Sequence, residues 1–229
     1  MIPIKGFQKI SMIDYPGKMC SVVFLGDCNF RCPYCQNPDL ITKKIPNMKG
    51  GEIFDFLESK RNWIDGVCIT GGEPTLHRNL PEFCRQLRSR GFLAKLDTNG
   101  SNPIMLEKLI KEKLVDYIAM DIKGPLERYD EIALVKVNKD IIQKSVDIIR
   151  SSGLDYEFRT TVVPKLLKEG DLLAIGKWLK GSKLYAIQQF RAMVTLDESY
   201  QKETSYSEDE MQAFGKMLKP CFEKVEVRV

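Results

Sequence analysis

Short apolar runs alternate along the chain with longer amphipathic stretches. The short runs are rich in β-branched and aromatic residues, which is typical of buried strands. They cover residues 20–25, 67–70, 92–97, 117–122, 156–163 and 184–190. The longer stretches repeat apolar residues at helical spacing, at residues 51–60, 80–90, 104–113, 139–151, 170–180 and 207–219. The pattern therefore predicts six strands that alternate with helices.

This alternation predicts an α/β fold with parallel strands joined by right-handed crossovers. The six units fill about 170 residues, whereas a closed eight-stranded barrel usually needs about 250. The length favours an open, partial (β/α)6 TIM-like barrel, although the pattern also fits a flat, doubly wound sheet. We expect one domain over residues 1–229, with a core at about 20–190 and a C-terminal loop, helix and strand at 191–229.

Composition and charge exclude several classes of protein. The 229 residues include 35 Lys and Arg against 31 Asp and Glu, a formal net charge of +4. This small excess does not require a nucleic acid or an anionic membrane as partner. No apolar run reaches the ~18 residues of a membrane helix, and the first residues lack the pattern of a signal peptide. We therefore expect a cytoplasmic protein that binds neither membrane nor nucleic acid.

Three of the seven cysteines, Cys28, Cys32 and Cys35, lie close together after the first predicted strand. This C-x3-C-x2-C spacing lets one loop direct three thiolates at one metal centre. A structural zinc site has four closed ligands, and an electron-transfer [4Fe–4S] cluster also uses four cysteines. Three thiolates would leave one iron of a cubane free for a substrate or cofactor. The alternative is a trio that is buried or binds zinc.

Other polar motifs follow the later strands of the predicted sheet. Parallel strands end at one face, which is where ligands bind in barrels and open α/β sheets. Glycines there let a ligand approach the backbone closely, and charged side chains pair with ligand groups of opposite charge. We expect one cleft to contain Gly71, Gly72, Glu73, Asp97, Asn99, Asp121, Lys123 and Arg159.

The cysteine spacing, with Tyr34 before the last cysteine, resembles the signature of radical S-adenosylmethionine (SAM) enzymes. Further motifs occur in the order found in glycyl-radical-enzyme activating proteins. They are Asp14-Tyr15-Pro16-Gly17, the cysteine loop, Gly71-Gly72-Glu73-Pro74, Leu-Asp-Thr-Asn-Gly (96–100), Met-Asp-Ile-Lys (120–123) and Arg-Thr-Thr-Val-Val-Pro (159–164). Over about residues 7–190 the chain is similar to activators of pyruvate formate-lyase and, more so, of anaerobic ribonucleotide reductase.

This resemblance implies a radical SAM barrel with one [4Fe–4S] cluster on Cys28, Cys32 and Cys35. It implies reductive cleavage of SAM, with no side-chain acid or base, and a glycyl radical generated on a partner enzyme. A flavodoxin- or ferredoxin-type protein would donate the electron. The resemblance assigns cofactor contacts to Tyr34, Gln36, Gly71, Gly72, Glu73, Asp121 and Lys123. Asp97, Asn99 and Arg159 are expected beside them, and a monovalent cation would lie at Asp97, Thr98, Met120 and Asp121.

The chain departs from the family pattern in several places. Residues 15–19 differ from the usual motif, and the cysteines needed for an inserted ferredoxin-like domain are missing, so a single cluster is expected. The one histidine, His77, is expected on a surface loop rather than in catalysis. Two other functions stay open. One is a radical SAM enzyme that acts on a small molecule or RNA, and the other is a zinc or iron–sulfur module without enzymatic activity.

Overall fold

The computed structural model describes residues 2–229, which form one eight-stranded sheet with strands in sequence order. Strand β1 runs antiparallel to β2, and every later strand runs parallel to the one before it. Strands β1 and β8 form the two edges, so the sheet is open. The strands are β1 (Ile4–Ser11), β2 (Cys20–Leu25), β3 (Gly66–Gly71), β4 (Leu93–Thr98), β5 (Tyr117–Asp121), β6 (Asp155–Val162), β7 (Ser182–Gln189) and β8 (Phe222–Arg228).

Helices connect the parallel strands. They are α1 (Asp39–Thr42), α2 (Gly50–Ser59), α3 (Leu80–Ser89), α4 (Pro103–Lys111), α5 (Tyr129–Ala133), α6 (Lys139–Ser151), α7 (Glu169–Trp178) and α8 (Glu208–Leu218). Several begin at side-chain caps. Asn102 accepts from the N–H of Met105, and Ser207 and Glu210 form a capping box at α8. Such caps satisfy backbone donors that the first helical turn leaves free.

The sheet is strongly curved. Phe24 on β2 and Gln188 on β7 line the same cavity, although five strand spacings in a flat sheet would separate them by about 24 Å. Successive side chains of a strand point to opposite faces. Val23, Leu25 and Ile69 join the main hydrophobic core, whereas Cys20 and Cys68 lie in a second, smaller cluster. Curvature therefore gives the sheet an interior and explains why it forms a partial barrel.

The predicted α/β partial-barrel class is confirmed, and each of the six predicted strands corresponds to a strand of the sheet. Two edge strands extend the sheet beyond these six. The N-terminal strand β1 has an exposed middle section and two register shifts against β2. Its sequence lacks the apolar run that is typical of a buried strand. Strand β8, at the predicted C-terminal strand, alternates charged Lys224, Glu226 and Arg228 with apolar residues. It adds a seventh parallel strand.

Among residues 2–229 no helix has the length and apolar character needed to cross a membrane.

Candidate functional site

A cavity of about 320 Å³ lies where the loops after the parallel strands meet. Twelve of the thirteen residues expected at the site line this cavity, and Glu73 is the exception. The twelve are Cys28, Cys32, Tyr34, Cys35, Gln36, Gly71, Gly72, Asp97, Asn99, Asp121, Lys123 and Arg159. The structure thus brings together motifs that are separated by up to about 130 residues in the sequence. Their contacts with a cofactor stay predictions.

The loop that carries Cys28, Cys32 and Cys35, here called the cysteine loop, is held by hydrogen bonds to two other segments of the chain. The N–H of Arg31 donates to the carbonyl of Ala133 at 2.9 Å, and the N–H of Asp197 donates to the carbonyl of Pro33 at 2.9 Å. The side chain of Gln36 donates to the carbonyl of Arg191 at 3.0 Å. The end of α5 and the segment that follows β7 therefore fix this loop at the cavity.

The three thiols differ in their surroundings. Cys32 is buried, whereas Cys28 and Cys35 are partly buried. Burial raises the pKa of Cys28, and it raises the pKa of Cys32 to about 11. The N–H of Phe30 donates to Cys28 Sγ at 3.4 Å. The raised pKa values favour the protonated thiols of Cys28 and Cys32, and a metal centre would bind these two by displacing their protons.

The donor set fits an iron–sulfur cluster better than a single ion. Among residues 2–229, no three Cys, His, Asp or Glu side chains converge on a point that could hold one metal ion. In a [4Fe–4S] cluster each thiolate binds a different iron, so the sulfurs need to line a common cavity rather than meet at a point. The three thiols do line one cavity. They fit such a cluster with three protein ligands.

The turn after β3 packs tightly against the end of β2. The N–H of Gly72 donates to the carbonyl of Leu25 at 2.9 Å, and the N–H of Glu73 donates to the carbonyl of Asp27 at 2.8 Å. A Cβ on Gly72 would overlap the backbone of Asp27. Gly71 has φ of +120°, a conformation that favours glycine. These two glycines therefore let the backbone of the turn lie against the start of the cysteine loop.

Glu73 lies beneath the cavity wall, with 0% of its surface exposed. Its carboxylate accepts from the N–H and hydroxyl of Thr75, from the hydroxyl of Thr98 and from the N–H of Asn99. Burial raises the pKa of Glu73, and these hydrogen bonds oppose the rise. In this structure Glu73 orders the loops after β3 and β4. Its expected contact with the cofactor stays a prediction.

Charged side chains from three neighbouring strands form a ladder inside the barrel. Arg159 on β6 donates through Nε to Asp121 Oδ1 at 2.6 Å and through Nη2 to Asp97 Oδ2 at 2.9 Å. The other oxygens of the two carboxylates are also paired, Asp97 with Lys95 and Asp121 with Lys123. Each of the four carboxylate oxygens therefore contacts a side-chain cation.

In this ladder, charge pairing shifts the pKa values of the side chains more than burial does. Burial would raise the pKa of each carboxyl group, but Arg159 and the paired lysines hold the pKa of Asp97 and of Asp121 below the usual range. Burial would lower the pKa of Lys123 and of Arg159, and their carboxylate partners raise both. Asp97, Asp121, Lys123 and Arg159 are therefore all charged near neutral pH.

Asn99 connects the loop after β4 to the cysteine loop. Its side-chain amide donates to Asn29 Oδ1 at 2.9 Å and lies 3.9 Å from Cys28 Sγ. Its Oδ1 accepts from the N–H of Ser101 at 2.9 Å. The loop after β4 thereby supports the wall that carries Cys28.

Several residues of this region were not anticipated. Asp14 lines the cavity, although it precedes β2. Lys95 is 1% exposed and lies two residues before Asp97 on the same face of β4, so the two-residue period of a strand could have revealed it. Arg228, near the end of the chain, donates to the buried Glu157 at 3.1 and 2.5 Å. His77, expected on the surface, is partly buried and bonds to the carbonyl of Gly26.

Comparison with known proteins agrees with this geometry. Residues 22–174 match the family model described as the radical SAM superfamily. The chain is 38% identical, over 98% of its length and 95% of the relative's, to a Methanocaldococcus jannaschii protein named by inference as a glycyl-radical enzyme activating enzyme. It is 29% identical to the pyruvate formate-lyase-activating enzyme of Streptococcus mutans, over 83% of this chain and 76% of that one.

The fold is also found in a solved structure. Streptococcus suis SuiB bound to its precursor peptide SuiA aligns with a TM-score of 0.70 and 13% sequence identity, over 91% of this chain. The chain spans 48% of the length of SuiB. At this level of identity the likeness concerns the architecture of the barrel.

Proposed function

This chain belongs to the radical SAM superfamily, and we propose that it is an activating enzyme that generates a glycyl radical on a partner enzyme. The relative of that name in Methanocaldococcus jannaschii supports the proposal because the match extends over nearly all of both chains. The order of the sequence motifs favours anaerobic ribonucleotide reductase as the partner. This choice of partner rests on resemblance alone.

One observation carries the proposal. The three thiols of the C-x3-C-x2-C loop, the Gly71–Gly72 turn and the Asp121–Lys123 pair all line one cavity. Cys28, Cys32 and Cys35 would hold a [4Fe–4S] cluster with one iron open. When bound, the cluster and SAM supply the electron and the radical chemistry that removes a hydrogen atom from glycine.

The side chains of the cavity would bind and orient the cofactor. Lys123 Nζ lies 3.2 Å from Asp121 Oδ2, and its positive charge suits the carboxylate of SAM. Backbone carbonyl groups at Gly71 and Gly72 can accept hydrogen bonds from the amino group of SAM, because glycine has no side chain to shield the backbone there. Asp97 and Asn99 offer polar partners for the ribose, and Tyr34 and Gln36 extend the wall beside the thiols.

The reaction needs no general acid or base from the chain. The only histidine, His77, bonds to the carbonyl of Gly26 and is absent from the residues that line the cavity. Asp97, Asp121, Lys123 and Arg159 neutralise one another. Their role in this proposal is to keep the cavity polar and rigid and to hold the cofactor in one orientation.

The carboxylates expected around a monovalent cation are already paired with other side chains. Asp97 and Asp121 would be its carboxylate ligands, and Thr98 pairs with Met120 in the register of β4 and β5. However, Arg159, Lys95 and Lys123 already contact all four oxygens of the two carboxylates. We therefore propose a site that works without a bound monovalent cation.

The test is anaerobic reconstitution of the chain with iron and sulfide, followed by reduction with dithionite in the presence of SAM. The expected results are formation of 5′-deoxyadenosine and methionine, and a glycyl-radical EPR signal after addition of anaerobic ribonucleotide reductase from the same organism. Replacing the radical-bearing glycine of the reductase by alanine should abolish the signal. SAM cleavage without a radical on any glycyl-radical enzyme would overturn the activating function. A colourless protein that binds zinc would overturn the enzymatic function altogether.

The electron donor can be tested in the same assay. A flavodoxin- or ferredoxin-type protein, reduced by its own reductase, should replace dithionite and support the same radical yield. Failure of both donor types, with dithionite still active, would overturn this part of the proposal alone.

A further inference from the structure

The loop between β1 and β2 exposes two large apolar side chains. Met12 is 76% exposed and Ile13 is 88% exposed, and Ile10 beside them is 48% exposed. Exposed apolar groups that lie together often mark a surface that binds another protein. Methionine is also enriched in protein interfaces relative to the rest of the surface. We call residues 10–13 the apolar tip.

The apolar tip is held in place by an ordered loop. Ser11 Oγ donates to Asp14 Oδ2 at 2.5 Å and accepts from the N–H groups of Ile13 and Asp14. Tyr15 is 4% exposed and packs against Tyr117 inside the barrel, with ring centroids 5.9 Å apart. The N–H of Lys18 donates to the carbonyl of Tyr15, closing a turn at Gly17, which has φ of +69°. The exposure of Met12 and Ile13 thus belongs to a defined conformation.

The apolar tip is next to the cavity but far from the cysteine loop along β2. Asp14 follows Ile13 directly and lines the cavity. The loop that holds both residues precedes β2, whereas the cysteine loop follows it. Six residues of strand separate these two ends by about 17 Å. The cavity therefore reaches from the cysteine loop at one end of β2 to Asp14 at the other.

We propose that Met12 and Ile13 are the docking contact for the protein substrate, whose reactive loop enters the cavity past Asp14. This inference rests on the proposed function, since it requires a protein substrate. Lys9 precedes the apolar tip in the sequence and Lys18 lies further along the same loop, and both are exposed. The partner surface that fits is an apolar pocket with an acidic rim. Docking at this end leaves the face of the cysteine loop free for the electron donor.

The experiment uses the full-length reconstituted enzyme and a double variant, Met12→Ser with Ile13→Ser. The matched control is Ile104→Ser, because Ile104 is 75% exposed on α4 and is not among the residues that line the cavity. Two rates are measured with dithionite as reductant. The first is SAM cleavage without a partner, and the second is glycyl-radical formation against the concentration of anaerobic ribonucleotide reductase.

The double variant should cleave SAM at the wild-type rate, while its KM for the reductase rises about tenfold or more, as for loss of an interface hot spot. The control should match the wild type in both rates. A double variant with the wild-type KM would overturn the docking proposal and leave the activating function intact. A wild-type enzyme that cleaves SAM but forms no radical on any glycyl-radical enzyme would overturn both. Self-association lost in the double variant with an unchanged KM would assign the tip to a second copy of this chain instead.

Discussion

The carboxylate of Glu73 accepts a hydrogen bond from the backbone N–H of Asn99 at 2.6 Å, which joins the loop after β3 to the loop after β4. Both loops carry residues that line the cavity. Glu73 itself lies below the surface of that cavity and accepts three further hydrogen bonds, from Thr75 and Thr98. The site therefore depends on a carboxylate that a ligand need not touch.

Replacing this carboxylate by an amide should destabilise the fold. In Glu73→Gln the NH2 group cannot accept from the donors that now face it, so buried groups lose their partners. We expect a loss of about 1–3 kcal/mol in the free energy of unfolding, measured by urea denaturation. Glu107→Gln is the control, because Glu107 forms only an exposed pair with Lys111 and should change stability by about 0.5 kcal/mol or less. An unchanged urea midpoint for Glu73→Gln would contradict the role given to Glu73.

The substitution Arg159→Gln should lower the free energy of unfolding near neutral pH. It removes the cation shared by Asp97 and Asp121, and leaves the buried carboxylate of Asp97 and the partly buried carboxylate of Asp121 short of a partner. Breaking such a buried pair costs about 3 kcal/mol. Urea unfolding at pH 7 should show this loss, whereas Arg85→Gln, which removes only exposed pairs, should lose about 1 kcal/mol or less.

The cost of Arg159→Gln should also depend on pH. The pKa of each aspartate is held below its ordinary value of 3.8. Their contribution to stability is therefore complete above that value and is lost as the pH falls through the lower pKa of the folded state. Without Arg159 the two carboxyl groups of the folded variant should titrate at a higher pH than those of the wild type. The difference in unfolding free energy between wild type and Arg159→Gln should therefore be largest near pH 7 and shrink as the pH falls below about 5. A difference that stays constant down to pH ~3.5 would show that these carboxylates do not titrate as the ladder requires.

Gly72→Ala should disturb the site through packing alone. The added methyl group would overlap the backbone of Asp27 at the start of the cysteine loop. We expect a loss of about 2 kcal/mol in unfolding free energy and weaker SAM binding by the reconstituted enzyme. Gly170→Ala is the matched control. Nothing lies within 4 Å of its added methyl group, and alanine should be neutral or stabilise helix α7 by about 0.5 kcal/mol.

Single replacement of Cys28, Cys32 or Cys35 by alanine should prevent cluster assembly. Iron and sulfide content after anaerobic reconstitution, and the visible absorption of the protein, measure this directly. Wild type should hold about four irons per chain, and each variant far fewer. Cys221→Ala should retain the wild-type content, because Cys221 packs beside Gly176 on α7, far along the chain from the loop. Full iron content in any of the three variants would overturn the ligand assignment.

SAM binding should not respond to the identity of a monovalent cation. The affinity of the reconstituted enzyme is measured in sodium, potassium and choline chloride at one ionic strength, which keeps screening constant. Equal affinities are expected, since Arg159, Lys95 and Lys123 already neutralise Asp97 and Asp121. Tighter binding in sodium or potassium than in choline would show that a cation does enter the site.

The alternation of elements was predictable because period and polarity are local properties of the chain. The predicted strand at 20–25 matches β2, and the predicted helix at 139–151 matches α6. The set of residues at the strand ends was also predictable, since parallel strands must end at one face. The edge strand β1 was not, because its exposed middle section has no apolar periodicity. Its neighbour β2 supplies the hydrogen bonds that make it a strand.

The amino-acid sequence alone determined the α/β class and the loop of three cysteines, because the spacing of residues along the chain is enough to define them. It favoured an open barrel through the chain length, but the pattern also fitted a flat sheet. Only the tertiary structure decided that Glu73 is buried under the cavity, that Arg159 joins Asp97 to Asp121, and that Asp14 reaches the cavity from the other end of β2. These relationships depend on the curvature of the sheet, which brings residues from distant strands within hydrogen-bond distance. No local pattern of residues in the sequence predicts that curvature.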